Sequence, residues 1–324
     1  MKKNIAIIMG GYSSEHGISI KSGNVVYKYL DRDKYHPYRV VITREKWFYL
    51  DENNREFPME KSDFSLNIDG NKIHFDCVFN AIHGTPGEDG LMQAYFELLG
   101  IRHTSCNHYE AALTFNKRDL LSTLKSYGVP CAQSYFLNKG QDVDEDAIVE
   151  KVGLPCFVKA NRAGSSYGVS KVYQKEELGN AIENAFKEDT QIIIESFLDG
   201  TEVSVGVITY ENKVTVLPAT EIISENDFFD FEAKYLGKSK EITPARISEK
   251  QESNVRQLAE FIYKTLGLKG YTRSEFIFIG DVPHLLEINT TPGLTEESLL
   301  PQQARTAGIS LEDLFDSAIV EALR

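Results

Sequence analysis

Residues Arg273–Leu299, RSEFIFIGDVPHLLEINTTPGLTEESL, decide how the rest of the chain is read. The run opens on the apolar residues Phe276–Ile279, turns at Gly280-Asp281 and resumes over Val282–Ile288. Two short apolar runs about a Gly-Asp pair spell a β-hairpin. Its polar residues fall on a period of two, Arg273 with Glu275 on the first strand and Glu287 with Asn289 on the second. Side chains two apart share a face, so antiparallel pairing gathers an arginine, two carboxylates and a carboxamide at one end of the ribbon. Such oxygens suit a hard cation like Mg2+, which takes one or two protein carboxylates and fills its shell with phosphate oxygens and water. Thr291-Pro292-Gly293 then breaks the strand, and a glycine there lets backbone N–H groups approach a ligand closely. Taken alone, the same hairpin reads equally as a surface ribbon whose ions pair and solvate. The rest of the chain decides between the two.

At 324 residues the chain is long for one hydrophobic core and predicts two or three domains. A share of 42% hydrophobic and 26% charged residues is ordinary globular material rather than disorder. The formal charge of −13 speaks against a nucleic-acid partner while leaving room for one local basic pocket. Cys77, Cys106, Cys131 and Cys156 lie far apart and make no CxxC pair, which disfavours zinc or a disulfide framework and fits a reducing cytoplasm. Lys2-Lys3 before Ile5–Met9 has the flavour of a signal peptide, but the apolar run is short and ends in Gly10-Gly11, as a first strand does. No run is long enough to span a membrane.

Asn4–Met9, the turn GGYSSEHG and an apolar-periodic segment through Val25, Val26 and Leu30 predict strand, glycine turn and helix, with Ser13 or Ser14 as helix cap. Glu15 falls in the first helical turn, where an acid complements the helix dipole or grips a ligand ammonium. Strands are expected at Tyr38–Ile42 and Cys77–Ile82, around a polar excursion over Asp51–Lys72. The second strand ends in His83-Gly-Thr-Pro-Gly-Glu-Asp-Gly90, a loop at the carboxyl end of a strand, where open α/β sheets place ligands. A helix at Leu91–Leu99 and a short strand near Arg102 complete a first domain of residues 1–112. Two lobes are expected beyond it, 113–195 and 196–324. The first has helices at Lys117–Tyr127 and Asp144–Val152 and strands at Ala132–Leu137, Leu154–Lys159 and Gln191–Phe197. The second has strands at Val203–Ile208 and Val214–Pro218, helices at Ser253–Leu266 and Leu311–Leu323, and the hairpin. Between Lys159 and Ser170 runs a glycine- and serine-rich loop suited to cover a triphosphate, though GxxxxGK[ST] is absent. FFDFEAKYLG (228–237) mixes aromatic and polar residues as a lid does.

The order of these motifs is distinctive: a glycine turn with Glu15, HGTPGEDG (83–90), Lys159 before GSSYG (164–168), IIESFLDGTE (193–202), FEAKY (231–235) and Arg273…LLEINTTPG (285–293)…Ser298-Leu299. Together they resemble the D-alanine–D-alanine ligases, of the ATP-grasp fold, from the first strand to Leu300. The resemblance implies an N-terminal doubly wound parallel sheet followed by a two-lobed ATP-grasp domain. It also implies ATP with Mg2+ or Mn2+, a cytoplasmic homodimer, and the synthesis of D-alanyl-D-alanine through an acyl phosphate for the cell wall. By the same resemblance Lys117 and Lys159 hold phosphates under Ser165-Ser166. Glu195, Ser196, Phe197 and Leu198 meet adenine, and Glu202 meets ribose. Glu275, Glu287 and Asn289 ligate the metal. The first D-alanine meets Glu15 and His83, and the second is anchored by Lys234, Ser298 and Leu299. Arg273 and the Gly293 N–H stabilise the tetrahedral oxyanion. Glu15, Ser165 and Tyr235 form a network that closes the site.

Four positions depart from the commoner family pattern: Gly17 in place of an acid, Ala160 for proline, Glu275 for aspartate and Glu297 for histidine. Glu275 reaches one methylene further toward a metal, and Glu297 borders the second-substrate pocket. Tyr235 favours D-alanine as second substrate over D-lactate. D-Serine or D-lactate ligation remains the alternative within the class, and a non-catalytic ATP-binding protein the alternative outside it.

Overall fold

The computed structural model describes residues 2–164, 168–224 and 239–324, and among them seventeen strands form three sheets flanked by nine α-helices. The first sheet comprises β1 (Lys3–Gly10), β2 (Tyr35–Ile42), β3 (Trp47–Leu50), β4 (Glu56–Glu60), β5 (Ser65–Ile68), β6 (Asn71–Ile73) and β7 (Cys77–Asn80), in the order β6-β5-β4-β3-β2-β1-β7. β1 pairs in parallel with both β2 and β7. Parallel neighbours need a crossover, and α1 (His16–Tyr29) supplies the one from β1 to β2. Along β1, Ile5, Ile7 and Met9 face Val26 of α1 and the C-terminal helix α9 (Leu311–Ala322). Ala6 and Ile8 face the other way, toward Met92 and Phe96 of α2 (Leu91–Leu98). Helices therefore cover both faces of the parallel core, the doubly wound arrangement the sequence predicts.

Three sequence expectations change here. The polar segment 51–72 is not irregular, because β4 to β6 extend the sheet as antiparallel hairpins. Beside them Trp47 of β3 and Tyr95 of α2 meet edge-on at 5.5 Å. The strand expected near Arg102 is a single bridge between Val78 and His103. Neither Ser13 nor Ser14 caps α1. Glu15 occupies the N-cap position, and Ser13 Oγ instead accepts from the Glu15 N–H and donates to the His83 carbonyl.

The second sheet, β10-β9-β11-β8, is antiparallel throughout and comprises β8 (Ser134–Asn138), β9 (Cys156–Ala160), β10 (Ser170–Val172) and β11 (Gln191–Ser196). α5 (Glu145–Val152) and α6 (Leu178–Glu188) bury Val158, Ile192 and Ile194 on one of its faces. α6 was not foreseen, although Leu178, Ala181, Ile182 and Ala185 are spaced as a buried helical stripe. α3 (His108–Phe115) and α4 (Lys117–Ser126) join this region to the first.

The third sheet runs β15 (Ser239–Ile242), β14 (Thr220–Ser224), β12 (Thr201–Tyr210), β16 (Tyr271–Ile279), β17 (Val282–Asn289), with β13 (Lys213–Val216) on the far half of β12. Val203, Val205, Val207, Phe276 and Phe278 bury one face beneath α7 (Glu249–Thr265). The hairpin is as read: Ile279 pairs with Val282, leaving the two-residue turn Gly280-Asp281 with Gly280 at φ 60, where the first turn residue of a II′ hairpin wants glycine. α8 (Leu299–Thr306) and α9 then carry the chain back onto the first sheet, where Phe315 meets Phe79 edge-on at 5.7 Å. This is a mixed α/β and α+β architecture, with the cleft face of the third sheet turned toward the loops of the first.

Phe315→Ala empties a fully buried ring site and is expected to lower the unfolding free energy by about 3–5 kcal/mol, read from the denaturant midpoint. A loss below about 1 kcal/mol would show that α9 is no part of the N-terminal core.

Candidate active site

The register of the hairpin places Arg273 opposite Asn289 and Glu275 opposite Glu287, so all four side chains share the cleft face. Asn289 Oδ1 accepts from Arg273 Nη2 at 2.9 Å while its Nδ2 donates to Glu88 Oε1. Arg273 Nη2 also stands 3.1 Å from Glu275 Oε1. That approach is an ion pair without hydrogen-bond alignment, since Glu275 Oε1 is a buried acceptor lacking a hydrogen-bond donor. Lys117 Nζ lies 3.0 Å from Glu287 Oε2 and donates to the Ala163 carbonyl at 3.0 Å. The three expected metal ligands are thus together, and two cationic side chains offset their charge. Among the described residues no three His, Cys, Asp or Glu form a metal cage. Mg2+ still fits the donor set, because phosphate oxygens complete its shell beside one or two carboxylates. Glu275 Oε1 is the acceptor such a cation would satisfy.

Facing the hairpin are the loops after β1 and β7. A Cβ on Gly164 would come within 2.8 Å of Glu15 Oε2, and one on Gly84, at φ +67, within 3.3 Å of it. Both glycines therefore leave space for that carboxylate, Gly84 also by a backbone conformation that disfavours side chains. His83 is buried and bonded at both ring nitrogens: Nδ1 to the Thr291 carbonyl at 2.7 Å and Nε2 to Ser22 Oγ at 2.9 Å. A carbonyl only accepts, so Nδ1 carries the proton and Nε2 accepts from Ser22. Ser22 Oγ in turn accepts from the Leu294 N–H at 3.2 Å. Burial pushes the His83 pKa down, consistent with a neutral ring. Its hydrogen-bonding capacity is spent on the Thr291–Leu294 turn, so it places the site's wall rather than offering a spare donor to a ligand.

Glu88, left without a role by the sequence reading, is buried beside this cluster and accepts from the Gly84 N–H at 3.0 Å. Burial first, and the nearby Glu15 and Glu287 carboxylates, push its pKa up to about 8. Ser22, Thr291 and Glu88 are the residues that sequence reasoning missed. Glu88 alone carried a visible signal, as an acid in a glycine loop at a strand end.

On the second sheet, Lys159 Nζ pairs with Glu195 Oε2 at 3.0 Å. Burial lowers the lysine pKa, but attraction to Glu195, with contributions from Glu287 and Glu202, outweighs it and leaves it raised. Ser196 and Phe197 end β11 against Gln133 and Pro155, whose carbonyls accept from their N–H groups. The Phe197 and Phe157 rings lie 6.2 Å apart, with Leu198 half-buried beyond. Glu202 lies on β12, paired with Ile277 in the row adjoining Glu275.

At the far end Gly293 is closely packed, since a Cβ there would meet Ser298 Oγ at 2.7 Å and Ser298 Cβ at 3.2 Å. Ser298 Oγ bonds Thr295 and leaves the first turn of α8 uncapped by a side chain. The Leu299 N–H opens that helix, where the dipole favours an anion. Ser165, Ser166, Lys234 and Tyr235 lie outside the described residues. A cavity of about 110 Å³ is lined by Glu15, Glu88, Lys117, Arg273, Glu287, Asn289 and Gly293. It shares Glu15, Ala163 and Gly164 with an outer cleft of about 980 Å³.

Residues 4–106 match the family model described as D-ala D-ala ligase N-terminus, and residues 123–320 the one described as D-ala D-ala ligase C-terminus. A D-alanine–D-alanine ligase of Flavobacterium johnsoniae is 65% identical over 317 residues, 98% of each chain. Among solved structures, the VanG D-Ala:D-Ser ligase from Enterococcus faecalis is 31% identical with a TM-score of 0.87, over 99% of this chain and 100% of that one. The Bacillus anthracis D-alanine–D-alanine ligase complexed with ATP is 28% identical with a TM-score of 0.81, over 99% and 98% of the two chains.

A carboxyl whose folded pKa lies above its ordinary 4.5 holds its proton more tightly when folded, so its contribution is complete at low pH and is lost as pH rises toward about 8. Glu88→Gln lacks that titration. It is expected to gain stability relative to the unsubstituted protein as pH is raised through this window, read from paired melts. A constant difference across the window would contradict the assignment.

Proposed function

The chain belongs to the D-alanine–D-alanine ligase family, and from that premise we propose that it joins two D-alanines to D-alanyl-D-alanine, forming ADP and phosphate from ATP. The observation that carries the reading is the quartet Arg273, Glu275, Glu287 and Asn289 set on one face opposite Glu15. A carboxylate is a poor acyl donor, because oxide is a poor leaving group. Phosphorylation of the first D-alanine's carboxylate by ATP removes that obstacle. ATP use is supported by the ATP complex of the Bacillus anthracis relative.

In this reading Glu15 takes the ammonium of the first D-alanine, and His83 fixes the wall beside it. Lys117 and Lys159 exchange Glu287 and Glu195 for phosphate oxygens, with Ser165 and Ser166 above them. Glu195, Ser196, Phe197 and Leu198 receive adenine and Glu202 the ribose. Glu275, Glu287 and Asn289 would hold Mg2+ or Mn2+, which when bound neutralises the β- and γ-phosphate oxygens during transfer. The second D-alanine sets its carboxylate on the Leu299 N–H, Ser298 and Lys234. Its uncharged amine attacks the acyl phosphate, and Arg273 with the Gly293 N–H stabilises the oxygen that becomes negative. Tyr235, with Glu15 and Ser165, closes the site. The product serves peptidoglycan precursor synthesis.

We assign the enzyme to the cytoplasm as a homodimer without nucleic-acid or membrane partners. Among the described residues no helix is long and apolar enough to cross a membrane. We divide the chain into 1–112, 113–195 and 196–324; the three sheets support this reading, with β11 running on to Ser196 and α9 packing on the first sheet. D-Serine is the second reading for the incoming amino acid, favoured by the 31% identity to a D-Ala:D-Ser ligase. The 65% identity to a D-alanine–D-alanine ligase favours D-alanine.

Phosphate release from ATP and Mg2+ is expected with D-alanine and not with L-alanine, and Glu287→Gln is expected to lower it by about 100-fold or more. Release with neither alanine would refute the reading.

A further inference from the structure

The third sheet carries one more carboxylate on its cleft face than the proposed chemistry uses. Glu241 of β15 pairs with Ile222, Ile222 with Glu202, and Glu202 with Ile277. Directly paired residues share a face, and Ile277, Glu275 and Arg273 alternate by two along β16. Glu241 therefore projects from the same face as Arg273 and Glu275. Its neighbour Ile222 packs on Leu299, the first residue of α8. Gln302, one turn on, donates to the Glu297 carbonyl at 2.6 Å and lies 3.5 Å from Glu241 Oε2. Among the described residues that amide is the one hydrogen-bond donor the structure gives this half-buried carboxylate.

A free carboxylate beside a helix N-terminus that receives a substrate carboxylate is repulsive unless a positive group lies between them. The second amino acid brings one. It arrives as a zwitterion, and its ammonium has no lone pair with which to attack. Resting on the ligase reading above, we propose that Glu241 recognises the amine of the second amino acid and takes its proton. The proton passes from the ammonium nitrogen to a Glu241 oxygen, and the freed pair forms the C–N bond at the acyl phosphate carbon. The C–O bond to phosphate then breaks, and phosphate leaves with that pair and with the second nitrogen proton.

The groups facing Glu241 suit this task. Ile222 flanks it from β14, Glu202 stands further along the row on β12, and Arg273 faces it from β16. Gln302 and the Glu297 carbonyl approach from α8, while Lys240 points to the opposite face. Burial raises its affinity for a proton, with Arg273 and Gln302 opposing. The consequence is selection for an ammonium-bearing second substrate over a hydroxy acid of the same shape.

Hydroxylamine, uncharged at neutral pH, traps the acyl phosphate as a hydroxamate without needing amine recognition, so it separates this role from a structural one. In Glu241→Gln, kcat/KM for the second D-alanine is expected to fall about tenfold or more, as loss of one charge-assisted hydrogen bond implies, while hydroxamate formation stays within about twofold. Dipeptide formation within about twofold of the unsubstituted enzyme, or a parallel fall in hydroxamate, would overturn the proposal. If the unsubstituted enzyme made neither product from D-alanine, the ligase reading itself would fail, whatever the variant did.

Discussion

The site depends on a relay of hydrogen bonds through Ser22 and His83. Leu294 donates to Ser22, Ser22 to His83, and His83 to the Thr291 carbonyl. The relay joins α1, the loop after β7 and the turn after β17, and every member is buried. Buried polar groups are costly unless paired, so the relay has one satisfied arrangement and fixes the distance between the N-terminal acids and the hairpin. Glu296 adds an outer clamp, accepting from Lys28 and from the Tyr29 hydroxyl at 2.9 Å each.

What the relay holds together is electrostatically tense. Glu15, Glu88, Glu275 and Glu287 crowd a small volume, and Lys117, Lys159 and Arg273 offset them. Such an arrangement is stable because each cation has a carboxylate partner, and in the proposed reaction a phosphate takes that partner's place at Lys117 and Lys159. Lys117, the first residue of α4, is the clearest instance, reaching the Ala163 carbonyl and Glu287 at once. A net charge of −13 does not exclude such a pocket, since local geometry decides which sign a ligand meets.

The strands and turn of the hairpin were legible in the sequence, and so was the sharing of a face within each strand, Arg273 with Glu275 and Glu287 with Asn289, by the period of two. Setting the two pairs on one face also takes a β-bulge between Glu275 and Phe276, which shifts the register by one residue. The Gly280-Asp281 turn alone would set Glu275 opposite Leu286 and Arg273 opposite Ile288, and nothing in the sequence marked the bulge. The strands that carry Lys159 and Glu195, β9 and β11, were legible as apolar runs. The relay was not, because its partners are 61 to 272 residues apart and serine, threonine carbonyl and leucine N–H carry no pattern. α6 escaped notice although its stripe was there. The capping role given to Ser13 and Ser14 failed because α1 begins at His16 with Glu15 at its N-cap position, while Ser13 Oγ accepts from the Glu15 N–H and donates to the His83 carbonyl. Ser165, Ser166, Lys234 and Tyr235 rest on motif alone.

If the relay sets the first-substrate site while the hairpin holds the nucleotide independently, removing one hydroxyl should divide the two. The direct measurement is the pair of KM values, for ATP and for the first D-alanine, in Ser22→Ala. The account predicts an ATP value within about twofold of the unsubstituted enzyme and a D-alanine value raised about tenfold, the effect of stranding two buried hydrogen-bonding groups. Equal shifts in both, or none in the D-alanine value, would contradict it.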